Sequence, residues 1–538
     1  MSSDPATEHE SKASSVEEGS LHRENEFSVM GDKSQRRLSG PQIQMIAIAG
    51  TIGTGLFLAI GQVLAVTGPL GLLIAYLHVA SVVYCTLTSI AEMTVFAPIS
   101  GTFPYYAARW VDPALGFAVS WAYYYGSIMT LIAEITAACT LIGFWDPEES
   151  HKYVYITVLC VLTVTINLIG TRFFGRSEMF FSAIKIMLVL GFIIGGLVIT
   201  LGGGPDHQRH GFEYWRNPGP MVSFLEPGAK GRFLGLLVAI VPAAFSMGGI
   251  ELVAIAAAET RNPRRNLTGA MRTVVFRIVL FYILSVIILG MLVPSNDPIL
   301  FQTASNAGQA PWVLAFKRAG VKGLPSLINA IIVTSAFSAG NSLLFAGSRI
   351  LYGLALRKQA PSFFLRRTKA GLPLPAILFT STFSLLAFLN VTERPSKVFS
   401  WFVTLSTISA LLGWATMNLT YLRYYYGMQQ QGIKPEGIYR SRFQPFGAMW
   451  ALFWLVFYIL ISGIPVFWAF NGSDFVAAYI NIPFFCVLYL GWKIVKKTKI
   501  VSLRDLDFTS GIPTLADTDD AVEMKTRSVT SNLLRRLF

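Results

Sequence analysis

The stretch AGTIGTGL (Ala49–Leu56) breaks an apolar run that extends from Pro41 to about Thr67. Gly50, Gly53 and Gly55 relax helical geometry there, and a helix interrupted at membrane depth leaves backbone N–H and C=O groups without intrahelical partners. Such groups are tolerated only where protein buries them or where they line a cavity. Two half-helix ends then offer a positive N-terminus for a carboxylate and free carbonyls for a cation, which suits the two charged groups of an amino acid. A second interrupted segment is therefore expected, and FSMGGIEL (Phe245–Leu252) supplies it inside the run from Phe233 to Ala258.

Working outward, 538 residues that are 53% apolar and 14% charged, with mean hydropathy +0.53, describe a multi-spanning helical membrane protein rather than a soluble enzyme. A net charge of +13 would suit nucleic acid, but most Lys and Arg residues fall in the tails and between spans, where they orient the chain, so no nucleic-acid partner is expected. The four cysteines, Cys85, Cys139, Cys160 and Cys486, lie in apolar runs without paired spacing, so neither a disulfide framework nor a metal site is expected. No phosphate-binding GxxxxGK[ST], nucleophile elbow or HExxH is present, which argues against an enzyme. The first forty residues are polar and lack an apolar core, so they read as a disordered tail rather than a signal peptide.

Twelve spans are expected: Gln42–Thr67, Leu70–Phe96, Pro113–Gly143, Tyr153–Gly170, Met179–Leu201, Phe233–Ala258, Val274–Val293, one within Pro325–Leu356, Leu372–Asn390, Val398–Tyr424, Gly447–Phe470 and Phe475–Ile494. Loops after even-numbered spans carry the basic residues, among them Arg172, Arg176, Arg264, Arg265, Arg366 and Arg367, which makes that side and both termini cytoplasmic. The chain divides into a tail (1–41), a membrane domain (42–495) and a C-terminal tail (496–538). The breaks fall five spans apart, and an odd offset inverts one unit against the other. This predicts an all-α membrane protein with a 5+5 inverted repeat, broken helices 1 and 6, and two additional helices.

Four ionisable side chains fall inside apolar runs: Glu92, Glu134, Lys185 and Glu251. Each is costly unless paired or wet. Lys185 reads as a group that loads and releases the coupling proton; the alternative is a constitutive ion pair, or a hydrogen bond to carbonyls freed by the first break. Glu251 either meets a substrate ammonium or a proton, or pins the broken helix to a neighbour. Glu134, with Thr130 one turn before it, puts two polar groups on one face that lines the site. Glu92, near the cytoplasmic end of its span, reads as a gate or interfacial pair. Asn341 either contacts Lys185 or only ties its span to a neighbour. Phe245 is large enough to cover a bound amino acid, and Asn390 and Asn471 fit the glycosylation pattern on the expected outer side, with the alternative that both lie too close to the membrane to be reached.

Several stretches carry a closer resemblance: QMIAIAGTIGTGLF (Gln44–Phe57), PISGTFPYYAARWVDPALGFAVSW (Pro98–Trp121), FSMGGIELVAIAAAETRNPRRN (Phe245–Asn266), SRILYGLALRKQAPSFF (Ser348–Phe364) and FQPFGAMW (Phe443–Trp450). By these the chain resembles a fungal amino-acid permease, of the yeast amino-acid transporter family in the amino acid/polyamine/organocation superfamily. The resemblance implies the twelve-helix inverted repeat and proton-driven amino-acid uptake across the plasma membrane, with the proton as coupling ion and no other cofactor. It also implies that Thr51, Ile52, Gly53, Thr54 and Gly55 bind the substrate's carboxylate and amino groups largely through backbone, with Phe245, Ser246 and Gly248 opposite. By the same likeness Lys185 occupies the place where sodium-coupled cousins hold an ion, and Thr130 and Glu134 match positions linked to side-chain selection. Ile250 stands where the family often has Thr or Ser, which weakens a claim for lysine or arginine as substrate. The expected partners are the amino-acid substrate, membrane lipids, and trafficking or ubiquitination machinery at the cytoplasmic tails. The competing reading is a non-transporting amino-acid sensor of the same fold.

Overall fold

The computed structural model describes residues 52–98, 102–205, 207–249, 251–252, 278–298, 300, 310–369, 371–392, 395–433, 439–510 and 512. Among these residues the chain is all helical, and nine helices are long and apolar enough to cross a membrane, or ten if one bent pair counts as a span. The expected N-terminal tail, Thr51, Ile250 and the span residues 253–258 and 274–277 lie outside the described residues.

The first element, α1 (Gly55–Phe96), holds two apolar segments that meet at Gly68. Gly68 has φ 75° and ψ 173°, a left-handed conformation, and a Cβ there would come within 2.8 Å of the Pro220 carbonyl oxygen. Pro69 follows and cannot donate to a helical ladder, so the turn is written into the Gly-Pro pair. The 220–222 backbone closes it, with Leu70 N–H donating to Pro220 O at 2.9 Å and Val222 N–H to Thr67 O at 3.0 Å.

A short helix, α2 (Thr102–Trp110), leads into α3 (Pro113–Ile142), whose first turn is capped by the Asp112 carboxylate on Ala114 N–H. The chain continues through α4 (Lys152–Ile169), α5 (Thr171–Val198), α6 (Gly228–Ser246) and the shorter α7 (Ile278–Leu292). There follow α8 (Leu324–Leu356), α9 (Leu374–Val391), α10 (Pro395–Gln430), α11 (Phe446–Ile461) and α12, in which Gly472–Tyr479 and Asn481–Lys496 meet at 43°. Helix α3 is the axis of the bundle: 83% of its apolar window is buried, against 28% for the span containing α4, and α3 packs most heavily on α8 and α10. Large apolar side chains of α4, α5 and α11, such as Val161, Met187 and Phe453, point outward, as a hydrocarbon solvent permits.

One expected boundary is corrected. Span 5 begins at Thr171 rather than Met179, because Gly170 (φ 131°, ψ 163°) is the residue that leaves helical geometry and RFFGRSE runs on as helix. The burial of Asn390 agrees with a glycosylation pattern that lies too close to the membrane to be reached, while Asn471 caps α12 by accepting from Ser473 and Asp474 N–H. The chain beyond α12 also returns to the body. Val501 N–H donates to Val111 O at 2.9 Å, Gln431 reaches Leu506 O at 2.9 Å, and Leu506 and Phe508 are buried against Trp110, Tyr424 and Gly427.

Candidate functional site

At the expected first break Ile52 and Gly53 are non-helical and helix begins at Thr54; the half-helix that the sequence places before them lies outside the described residues. The Ile52 carbonyl in the non-helical stretch finds a donor in Ser335 Oγ at 3.4 Å, and Trp312 Nε1 reaches Leu56 O in the following helix at 3.3 Å. The second break has a clear cause. Pro242 removes an N–H within the last turn of α6, and Gly249 takes φ 80° after a turn in which Gly248 N–H donates to Phe245 O at 3.0 Å.

The two breaks abut. A Cβ on Gly55 would lie 2.4 Å from Ser246 Cα and 2.9 Å from Ser246 N, so only a glycine allows this approach of backbone to backbone. Ser246 Oγ donates to Pro242 O at 2.9 Å and is met by the buried Tyr76 hydroxyl at 2.8 Å, which ties α1 to the end of α6. Phe245, half-buried, packs edge-on against Phe399 of α10 with ring centroids 6.3 Å apart.

From α3, Glu134 reaches the first break. Its Oε1 accepts from Thr54 Oγ1 at 3.1 Å and Thr54 N–H at 3.4 Å, and a Cβ on Gly53 would sit 2.8 Å from that oxygen. Glu134 Oε2 is buried and has no hydrogen-bond partner. Thr130 lies one turn away, with its hydroxyl turned back to Gly126 O at 2.8 Å. Lys185 on α5 is 1% exposed and acts electrostatically on Glu134. It acts also, and more strongly, on Glu178, a fully buried carboxylate of the same helix that sequence reasoning missed. The signal was present: Glu178 precedes Lys185 by seven residues, which places both on one helical face, but a span boundary drawn at Met179 left it outside the membrane.

The Asn341 side chain is committed to Glu178 and Asn167. Its Nδ2 donates to Glu178 Oε1 at 3.1 Å, and its Oδ1 accepts from Asn167 Nδ2 at 2.7 Å, so it links α4, α5 and α8. Glu251 points away from the first break: Oε1 accepts from Tyr123 Oη at 2.8 Å and Oε2 from Trp414 Nε1 at 3.1 Å, pinning the second break to α3 and α10. Glu92 is a tie as well, accepting from Tyr421 Oη at 2.5 Å and Ser441 N–H at 2.6 Å, with Arg440 acting on it electrostatically.

This geometry, two helix breaks in backbone contact with buried charge beside them, is accompanied by likeness along nearly the whole chain. The profile of the amino acid permease family matches residues 42–504. A proline-specific permease of Emericella nidulans is 37% identical over 89% of this chain and 88% of its own length. A dicarboxylic amino acid permease of Saccharomyces cerevisiae is 36% identical over 92% of this chain and 84% of its own, and a general amino-acid permease of Candida albicans is 37% identical over 88% and 81%. The chain belongs to the amino acid permease family, and is an integral, multi-pass membrane transporter rather than an enzyme.

Proposed function

We propose that this permease imports amino acids with protons by alternating access, through a twelve-span inverted repeat with both termini cytoplasmic, at the plasma membrane. The observation that carries the reading is the contact of Gly55 with Ser246, flanked by Glu134 and Lys185. The first-turn amides that follow Thr54 lack intrahelical acceptors and suit a carboxylate, while carbonyls of the break and Glu134 Oε2 suit an ammonium. Thr51 to Gly55, Phe245, Ser246 and Gly248 then hold the backbone groups common to all amino acids. Thr130 and Glu134 meet the side chain from α3. Glu251 supports the second break by fixing its exit angle.

Lys185 serves as the proton-carrying group, and its interaction with Glu134 couples its charge to occupancy of the first break. The substrate itself is a free α-amino acid of undefined side chain, because relatives named for proline, dicarboxylic and general transport match almost equally well. The test is uptake of a labelled amino-acid mixture by cells lacking their own permeases, with and without a protonophore. Accumulation that the protonophore abolishes is expected, and K185A should retain binding while losing accumulation. Binding without accumulation in native protein at the cell surface would replace transport with sensing.

A further inference from the structure

Glu178 has no role in the mechanism above, yet it lies seven residues inside α5, about 10 Å from the helix start, and is fully buried. A carboxylate at that depth is costly unless it is paired or functional. Lys185 already has an acidic neighbour in Glu134, so an ion pair for the ammonium does not by itself require a second carboxylate.

The surroundings of Glu178 are built to hold it. Ser338 Oγ donates to Oε2 at 2.8 Å and Asn341 Nδ2 donates to Oε1 at 3.1 Å, both from α8. The Asn341 amide is itself oriented by Asn167 Nδ2 on its oxygen at 2.7 Å, so the nitrogen must face Glu178. These donors are uncharged, and the charged group acting on Glu178 is Lys185. Helical side chains lean toward the N-terminus, so the Lys185 ammonium reaches back along the shared face toward Glu178.

Charge counting adds the second argument. Among the described residues, Lys185, Glu134 and Glu178 carry one positive and two negative charges when fully ionised, a net negative core that desolvation penalises. Excess negative charge in that core favours the neutral form of a carboxylate there, which is the form Glu178 takes when it receives a proton. The two carboxylates also sit at different depths: Glu134 touches the first break, while Glu178 lies toward the α5 start, which is cytoplasmic in the proposed orientation.

We infer that Glu178 is the positioning and relay carboxylate that takes the proton from Lys185 on the cytoplasmic side. The inference rests on the proton-coupled reading above. In the step, an N–H bond of the Lys185 ammonium breaks as an O–H bond forms on Glu178. This leaves a neutral amine and a carboxylic acid, which then gives its proton to cytoplasmic water.

The test uses the purified full-length protein in liposomes with a labelled amino-acid mixture. Accumulation driven by an inward proton gradient is compared with counterflow exchange at equal pH, which needs no proton release. Glu178→Gln keeps an acceptor for one donor but cannot take the proton, so accumulation should fall on the order of tenfold or more. Counterflow should persist and the dependence of accumulation on internal pH should disappear. Accumulation close to native with an unchanged internal-pH profile overturns the role, and so does loss of counterflow together with accumulation. If Glu178→Gln does not fold, Ser338→Ala retains the carboxylate and removes one donor; a shifted internal-pH profile supports the relay and an unshifted one overturns it. Native protein that shows no gradient-driven accumulation fails the proton-coupled reading itself, whereas native accumulation matched by Glu178→Gln sinks Glu178 alone.

Discussion

At the first break Glu134 accepts from Thr54 through Oε1 and leaves Oε2 buried without a hydrogen-bond partner; at the second, both oxygens of Glu251 are occupied, by Tyr123 and Trp414. Both carboxylates are almost fully buried, so exposure does not separate them. Their unused hydrogen-bonding capacity does. An unpaired acceptor in a dry site is costly, and it persists where something else is meant to meet it. Lys185 acts on Glu134 and on Glu178, whereas the partners of Glu251 are the neutral donors Tyr123 and Trp414, which suit a structural tie. In the proposed mechanism the comparison gives Glu134 to recognition and Glu251 to support, although both are candidates for substrate contact by position alone.

The largest expected effect tests whether the breaks must touch at all. In Gly55→Ala the new Cβ would lie 2.4 Å from backbone that cannot turn aside as a side chain would, an overpacking cost of about 1–3 kcal/mol or more. Uptake per molecule at the surface should fall to background. Near-native uptake would show that the contact is incidental.

The difference between the carboxylates is sharpened by Glu134→Gln and Glu251→Gln. Glu134→Gln weakens the acceptor that Thr54 Oγ1 and N–H share at the first break, a cost of about 1–3 kcal/mol, and should raise KM and lower kcat together. Glu251→Gln must turn an amide N–H₂ toward Tyr123 or Trp414, costing about 1–3 kcal/mol. That cost should appear as lower thermal stability with KM changed less than about threefold. The assignment breaks if Glu251→Gln raises KM as much as Glu134→Gln does.

The smallest effect comes from a carboxylate outside the membrane. Asp507 is partly buried, which opposes ionisation, but Ser510 and Thr509 N–H and the Arg109 guanidinium at 2.9 Å outweigh this and hold its carboxyl at about 2, below the ordinary 3.8. A depressed value means that its contribution is complete above about pH 4 and is lost as pH falls through about 2. Docking of residues 501–508 should therefore be constant between about pH 5 and 8. With a third of its side chain exposed, the pair is screened, and Asp507→Asn should raise protease cleavage there by an amount equivalent to about 1 kcal/mol or less. A steep change within that pH range would place control of the docked segment elsewhere.

Sequence alone determined that the chain is a helical membrane protein, that helical geometry fails at Ile52-Gly53 and again after Ser246, and that Glu134, Lys185 and Glu251 belong to apolar runs. Those properties are local: glycine frees the backbone wherever it stands, and a run of about 20 apolar residues seeks lipid whatever its neighbours are. The end of α6 was legible too, since Pro242 and Gly248-Gly249 cannot continue a helix. Tertiary structure decided what each polar group meets. That Ser246 lies against Gly55, that Asn341 serves Glu178, and that Tyr123 and Trp414 occupy Glu251 are contacts across about 130 to 190 positions of chain. Helical periodicity fixes which face of one helix a side chain occupies, but the partner on the facing helix depends on how the bundle packs, and only that packing separates a carboxylate held in reserve from one already spent.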